Sequence, residues 1–360
     1  MTQTDVLHLI KFLTNDIFRS KIAKIFLLSS TIFSASVTLI HSYFMLFRPN
    51  LREFSLKAPM FFGFCYPFLA GVVLLFENKL IENIPKQVKS GPIDQKLRKK
   101  IKTIKLYVIF VMISAVLAGL SYVQNVTNEA EIAFALQFFL DFVPNYYTFL
   151  AVCYKVSLFL MAVIAIIHPM QGIYAIEHMK IQVILLQKHV KMIEKKAKSG
   201  KDVETTLKFC IKRHINFLNF AKKLSARLSF LIAILVACGC VILMAISVFM
   251  LSGSFSPDYT FRITATSLET LATFVGVLKS GQELEDEIDK LGQILCTLDW
   301  YSFNCKNRKL YLIFLMNAMK PFKLKSLESY AINYQIGLSA VFTVISFTSQ
   351  MHSKLYKNGH

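Results

Sequence analysis

From Ile25 to Phe47 the chain holds a largely apolar run of 23 residues without Lys, Arg, Asp or Glu. At about 1.5 Å per residue, a helix of that length reaches across the roughly 30 Å hydrocarbon core of a bilayer. The run is well beyond the ~7–15-residue apolar core of a cleavable signal, so it is expected to remain as a first span. Further runs follow at about Ala58–Phe76, Leu106–Val123, Val156–Met179, Leu228–Leu251, Ile263–Leu278 and Ala331–Met351. Lipid offers the backbone no hydrogen-bond partners, so such runs cross as helices. The expected fold class is an all-α membrane protein with seven transmembrane helices.

Composition agrees, because 54% hydrophobic residues and positive mean hydropathy are too apolar for an ordinary soluble domain. The formal net charge of +19 could suggest nucleic acid. Its Lys and Arg residues, however, lie between the apolar runs rather than on one solvated face, which speaks for membrane topology and against nucleic acid. No nucleophile–base pair, Gly-rich phosphate loop or His-Glu-x-x-His pattern marks an enzyme. His168, His178 and His189 have no metal-site spacing, the cysteines form no CxxC pair, and no cofactor is implied.

The connections give orientation. With the N-terminus inside, 34 of the 41 Lys and Arg residues fall in the inner segments 1–24, 77–105, 180–227 and 279–330. The outer segments hold 6, and Lys155 sits at the outer end of the fourth span. The positive-inside rule therefore places the N-terminus in the cytosol and the C-terminus outside. That is opposite to G-protein-coupled receptors. The sequon at Asn125 falls outside, as glycosylation requires.

Inside segments are expected to be helical. Val6, Ile10, Leu13 and Ile17 make one apolar face, read as a short helix lying along the membrane or packed against the helices that follow. Span four is expected to continue as a helix until Ser199–Gly200, and a second amphipathic stretch, Val203–Arg227, leads into span five. After span six, Leu284, Ile288, Leu291, Leu295 and Leu298 form an apolar stripe, with the acids Glu283 to Asp289 read as surface salt bridges. Leu310–Met319, stopped by Pro321, reads as a helix buried in a cytosolic domain. Pro59, Pro67 and Pro169 are expected to bend their helices.

Two spans carry polar groups. Glu269 inside span six costs roughly 2.5–3.5 kcal/mol if central, so it should face a cavity or a partner helix. In the last span Gln335, Ser339, Thr343, Ser346 and Gln350 recur at spacings of 4, 4, 3 and 4. They form one stripe, turned either to a pore or to neighbouring helices.

The inverted seven-span topology with a polar last span resembles the insect odorant receptors. His214–Phe230 is similar to that family's approach to span five, and SGQELEDEIDKLGQILCTLDWY (Ser280–Tyr301) to its pattern of a glycine, acids and an aromatic pair. RKLYLIFLMNAMKPFKLKS resembles the helix before its final span. The related gustatory motif of Thr-Tyr, five apolar residues and Gln-Phe keeps Thr343 and Gln350 here, but Val344 and Met351 replace its aromatics, which favours the odorant branch.

The resemblance implies an odorant-gated nonselective cation channel subunit in the plasma membrane of olfactory neurons, forming a heterotetramer with the co-receptor (Orco). A gustatory-type channel and a secondary transporter are the alternatives, although no internal repeat supports a transporter. Implied partners are a small volatile odorant, membrane lipid and permeant cations. The implied divisions are an N-terminal amphipathic helix (1–24), an odorant-binding bundle (25–278), cytosolic anchor helices (279–330), a pore-lining span (331–351) and an external tail (352–360). Candidate odorant contacts are Phe62, Cys65, Tyr66, Ser114, Leu117, Tyr122, Tyr154, Phe159, Met161, Thr270 and Thr273, because a volatile needs aromatic walls with few polar groups. Pore and gate candidates are Thr343, Ser346, Phe347, Gln350 and Met351, with the family register placing the constriction at Phe347 and Met351.

Overall fold

A computed structural model describes residues 7–17, 20–47, 51–76, 95–122, 134–198, 202–251, 257–326 and 330–357. Asn125, Val6, the Ser90–Pro92 turn and the Ser199–Gly200 break lie outside the described residues. So do the side chains of Phe62 and Met351.

Apart from one two-residue strand pair, the described elements are helices: α1 (His8–Lys11), α2 (Lys21–Phe47), α3 (Leu51–Phe76), α4 (Gln95–Ser121), α5 (Phe134–Phe142), α6 (Tyr147–Lys198), α7 (Glu204–Leu251), α8 (Pro257–Cys296), α9 (Cys305–Ala318) and α10 (Tyr334–Lys357). Strands β1 (Lys325–Ser326) and β2 (Tyr330–Ala331) pair antiparallel just before α10.

Apolar runs and the segments flanking them merge into single long helices. The basic residues from Lys96 to Lys105 are helical and continue without a break into the third apolar run. Helix α6 extends over 52 residues straight through Pro169, α7 over 48 and α8 over 40. Helix α3 likewise continues through Pro59 and Pro67. Three segments are long and apolar enough to cross a bilayer on length and composition: Lys21–Phe44, Leu97–Ser121 and Pro144–Ala197, with shorter apolar stretches at Gly63–Leu75 and Ile232–Met244. Helices α8 and α10 fall short because Arg262, Glu269 and the polar stripe lower their hydropathy.

The outward faces of α2 and α4 are apolar. Ile25, Phe26, Ile32 and Leu39 of α2 and Leu106, Phe110, Ile113 and Leu120 of α4 are exposed, while Val37, Val108, Val111 and Ala115 of the same helices are buried. Helices apolar on both faces belong in lipid, and the chain is a membrane protein.

At the N-terminus, Leu7 and Ile10 are fully buried and α1 packs on α4 and α6, so this segment is built into the bundle. Its regular turns are short, because a π turn from Phe12 to Asp16 follows α1. Helix α5 was not expected within the connection between the third and fourth apolar runs. It buries Ala135 and Phe139 against α2 and α6, with the rings of Phe44 and Phe138 6.4 Å apart.

The apolar stripe of α8, from Leu284 to Leu295 with Leu298 just past the helix end, is buried in the main core as its spacing requires. The acids beside it join helices. Glu287 bonds Lys100 of α4 and Lys290 at 3.2 Å each and accepts from Gln187 of α6. Burial alone would raise the pKa of its carboxyl, yet the bonds from Gln187, Lys290 and Lys100 hold it below the usual glutamate value. Lys180 of α6 sits 2.6 Å from both Glu177 and Glu283, with Lys180 and Glu177 side chains each 3% exposed. Breaking such a buried pair costs about 3–5 kcal/mol, because the remaining charge is stranded.

Helix α9 is amphipathic rather than wholly buried. Tyr311 and Phe314 are in the core, with Trp300 stacked on Tyr311 at 6.0 Å, whereas Ile313 and Met316 are exposed. Its first turn is capped by Asn304, whose Oδ1 accepts from the Asn307 amide at 2.8 Å.

Candidate ligand cavity and pore helix

Five helices surround one cavity of about 820 Å³ of atom-free space, its opening included. Each contributes a stripe at helical spacing. Helix α3 gives Gly63, Phe64, Tyr66 and Pro67, α4 gives Ala118 with Tyr122 just beyond its end, and α6 gives Leu158, Met161, Ala162, Ala165 and Ile166. Helix α7 adds Leu235, Cys238, Gly239 and Ile242, and α8 adds Thr266, Glu269, Thr270 and Thr273. The i, i+3, i+4, i+7 pattern on α7 and α8 means that one face of each helix looks inward. The walls are largely aliphatic and aromatic, with polar groups concentrated on α8, a composition suited to a small organic molecule.

The top of the cavity is fixed by hydrogen bonds between α4 and α8. The Tyr122 hydroxyl lies 3.2 Å from Thr266 Oγ1, which itself donates to the Arg262 carbonyl at 2.9 Å. Buried Arg262 donates through Nε to the Ser121 carbonyl at 3.0 Å and lies 5.9 Å from the Tyr122 ring centre. Tyr107 of α4 donates to the Ala272 carbonyl, joining the same two helices further along.

Of the residues expected at the site, Tyr66, Tyr122, Met161, Thr270 and Thr273 are brought together on the cavity wall. Others are placed elsewhere. Leu117 points outward at 47% exposure, whereas its neighbour Ala118 lines the cavity. Phe159 packs against Gly119 of α4, and the wall residue is the adjacent Leu158. Tyr154 stands behind the wall with its ring 5.8 Å from that of Phe64. Ser114 is buried one turn before Ala118 and donates to the Val111 carbonyl of its own helix. Cys65 is half-buried beside the cavity and does not line it. Phe62 is in α3, but its side chain is outside the described residues.

A second apolar cavity, about 600 Å³ of atom-free space, lies between α7, α8 and α10. Leu235, Gly239 and Thr270 line both cavities. On α10, Ala340, Val341, Val344 and Ile345 form the far wall. Leu235, Gly239 and Thr270 of α7 and α8 therefore separate the five-helix cavity from the one that the final helix lines.

On α10, Gly337 and Ala340 are buried against the bundle, and Gln335, Ser339, Thr343, Ser346 and Gln350 are exposed along another face. The Thr343 and Ser339 hydroxyls donate to the carbonyls one turn earlier, of Ser339 and Gln335, at 2.9 and 3.1 Å. Phe347 is half-buried at the border between the packed face and the polar stripe.

These features define a helical membrane receptor with a ligand-sized cavity set behind its last helix. The profile of the family described as 7tm Odorant receptor matches residues 75–349, and the chain belongs to that family. It is a receptor of the ligand-gated channel class and not an enzyme. The fold is similar to that of the insect olfactory receptor OR5 from Machilis hrabei, solved in complex with eugenol, at a TM-score of 0.75 with 9% identity over 96% of each chain. A second structure of that receptor matches with TM-score 0.75 and 10% identity, also over 96% of each chain. No curated protein matches the chain in sequence.

Proposed function

We propose that this chain is the ligand-tuning subunit of an odorant-gated, nonselective cation channel, acting with the co-receptor in a heterotetramer at the plasma membrane of olfactory neurons. Seven helices cross the bilayer with the N-terminus cytosolic and the C-terminus external. The lower ends of α6, α7 and α8 with α9 form the cytosolic anchor. Each subunit gives α10 to a central pore, lined by the exposed stripe of Thr343, Ser346 and Gln350 and constricted at Phe347 and Met351. The ligand enters the five-helix cavity, displaces α7 and α8, and so shifts α10 toward an open arrangement.

One observation carries this reading: the five-helix cavity and the second cavity, which α10 lines, share a wall at Leu235, Gly239 and Thr270. A ligand pushing on that wall acts on the last helix without a longer relay. Gln335, Ser339 and Gln350 exposed on an otherwise apolar helix also suit a water-filled axis better than lipid.

Tyr66 is buried and on the cavity wall. Tyr66→Ala should raise the half-maximal odorant concentration about tenfold or more, given the few kcal/mol that a buried aromatic contact supplies. Surface abundance should be kept. The measurement is whole-cell current in cells co-expressing the chain with the co-receptor, over an odorant panel. Phe159→Ala, which acts on helix packing, should change potency less than Tyr66→Ala. Equal potency shifts for both, or none for Tyr66→Ala, would place the ligand elsewhere.

A further inference from the structure

The cavity wall contains one acid and, among its lining residues, no Lys, Arg or His. That acid, Glu269, is 7% exposed and makes no hydrogen bond or ion pair among the described residues. One turn further along α8, the hydroxyl of Thr273 is buried with no hydrogen-bond partner among the described residues. Arg262, two turns earlier, is turned to the Ser121 carbonyl and the Tyr122 ring and is not part of the wall. Two acceptors four residues apart on one helical face thus open into an apolar chamber that also presents the rings of Tyr66 and Tyr122.

Resting on the reading that this cavity is the odorant site, we propose that the receptor is tuned to small organic amines, bound as ammonium ions by Glu269. A buried carboxylate is costly unless a partner neutralises it, and no side chain in the cavity does so. An ammonium supplies that charge and up to three N–H donors. Glu269 takes one and Thr273 Oγ1 is placed to take another. The Tyr66 ring on the same wall adds an aromatic surface that favours cations over neutral groups of the same size. The bound pair is neutral overall, and the aliphatic wall of α6 and α7 receives the carbon skeleton. A carboxylic acid would meet like charge and no cation.

The test uses the chain co-expressed with the co-receptor and skeleton-matched primary amines, alcohols and carboxylic acids, from n-butyl to 2-phenylethyl. Readouts are whole-cell current and, on purified complex, the ligand-induced shift in thermal unfolding, so that a bound but non-activating amine still registers. Amines should act at concentrations about tenfold or more below their matched alcohols, with the acids inactive. Glu269→Gln should weaken amines about 10- to 100-fold while moving alcohols little, and Glu269→Asp should keep the amine preference.

Alcohols as potent as amines, an equal effect of Glu269→Gln on both, or no amine registering in either readout overturns the proposal. Gly239→Leu separates this from failure of the site itself. A Cβ at Gly239 meets only Thr270, at 3.9 Å, so the longer side chain fills cavity space. If Gly239→Leu leaves all responses intact, the cavity is not the odorant site and both readings fall. If it removes them while the amine preference is absent, only the amine inference falls.

Discussion

Gly281→Val is expected to cut agonist-evoked current by more than tenfold and to lower the amount of channel at the cell surface. Gly281 lies on α8 where the chain enters α10, and a Cβ there would run into the backbone carbonyl and side chain of Ile332. The obstacle is backbone, so it cannot move aside as a flexible side chain would. Ile332 is itself fixed, fully buried with its amide donating to the Leu324 carbonyl at 2.7 Å. Forcing extra carbon into such a site costs about 1–3 kcal/mol or more and displaces backbone. The displaced backbone here sets the position of α10. A tenfold shift needs only about 1.4 kcal/mol, so the lower end of that range nearly suffices. Surface biotinylation beside whole-cell recording checks it, with Gly281→Ala expected to fall between wild type and valine. Wild-type currents from Gly281→Val would mean that α10 is positioned by contacts elsewhere.

Phe347→Ser should raise the resting current of the co-expressed channel. Phe347 is half-buried beside an exposed polar stripe, and if α10 lines the proposed pore, a modest rotation exchanges it with Thr343 and Ser346 at the axis. A hydrophobic constriction closes by excluding water, and a serine hydroxyl removes that barrier. Exposing or burying a phenylalanine is worth about 1.5–3 kcal/mol, so removing it could move the closed–open balance by about tenfold or more in each altered subunit. The measurement is ligand-free leak and relative cation permeability. Unchanged values for both would assign the gate to other residues.

Much of the helical fold was legible in the sequence, because apolar length and helical spacing obey physics that needs no tertiary knowledge. The stripe from Leu284 to Leu298 is the plainest case: its spacing required burial, and all five residues are in the core. Glu269 is another. An acid within a span had to face a cavity or a partner helix, and it lines the cavity.

Other parts were hidden for specific reasons. Leu117 and Phe159 were favoured as large side chains at the right depth, yet one residue on a helix is about 100° of rotation, and the wall is formed by Ala118 and Leu158. Size was a poor guide where a cavity exists because side chains are small. The contribution of α7 was missed as well, although Leu235, Cys238, Gly239 and Ile242 keep one helical face whose small Cys238 and Gly239 leave space. Helix α5 is only nine residues long, too short to register as a span, and its burial depends on α2 and α6 rather than on its own pattern.

The most direct measurement is an electron cryomicroscopy map of the chain assembled with the co-receptor and bound to the first agonist identified from the panel. Ligand density is expected between Tyr66, Met161, Gly239, Glu269 and Thr273, with α7 and α8 shifted toward α10 relative to the ligand-free complex. Density at any other position, or an occupied cavity with α7, α8 and α10 unmoved in an open channel, would contradict it.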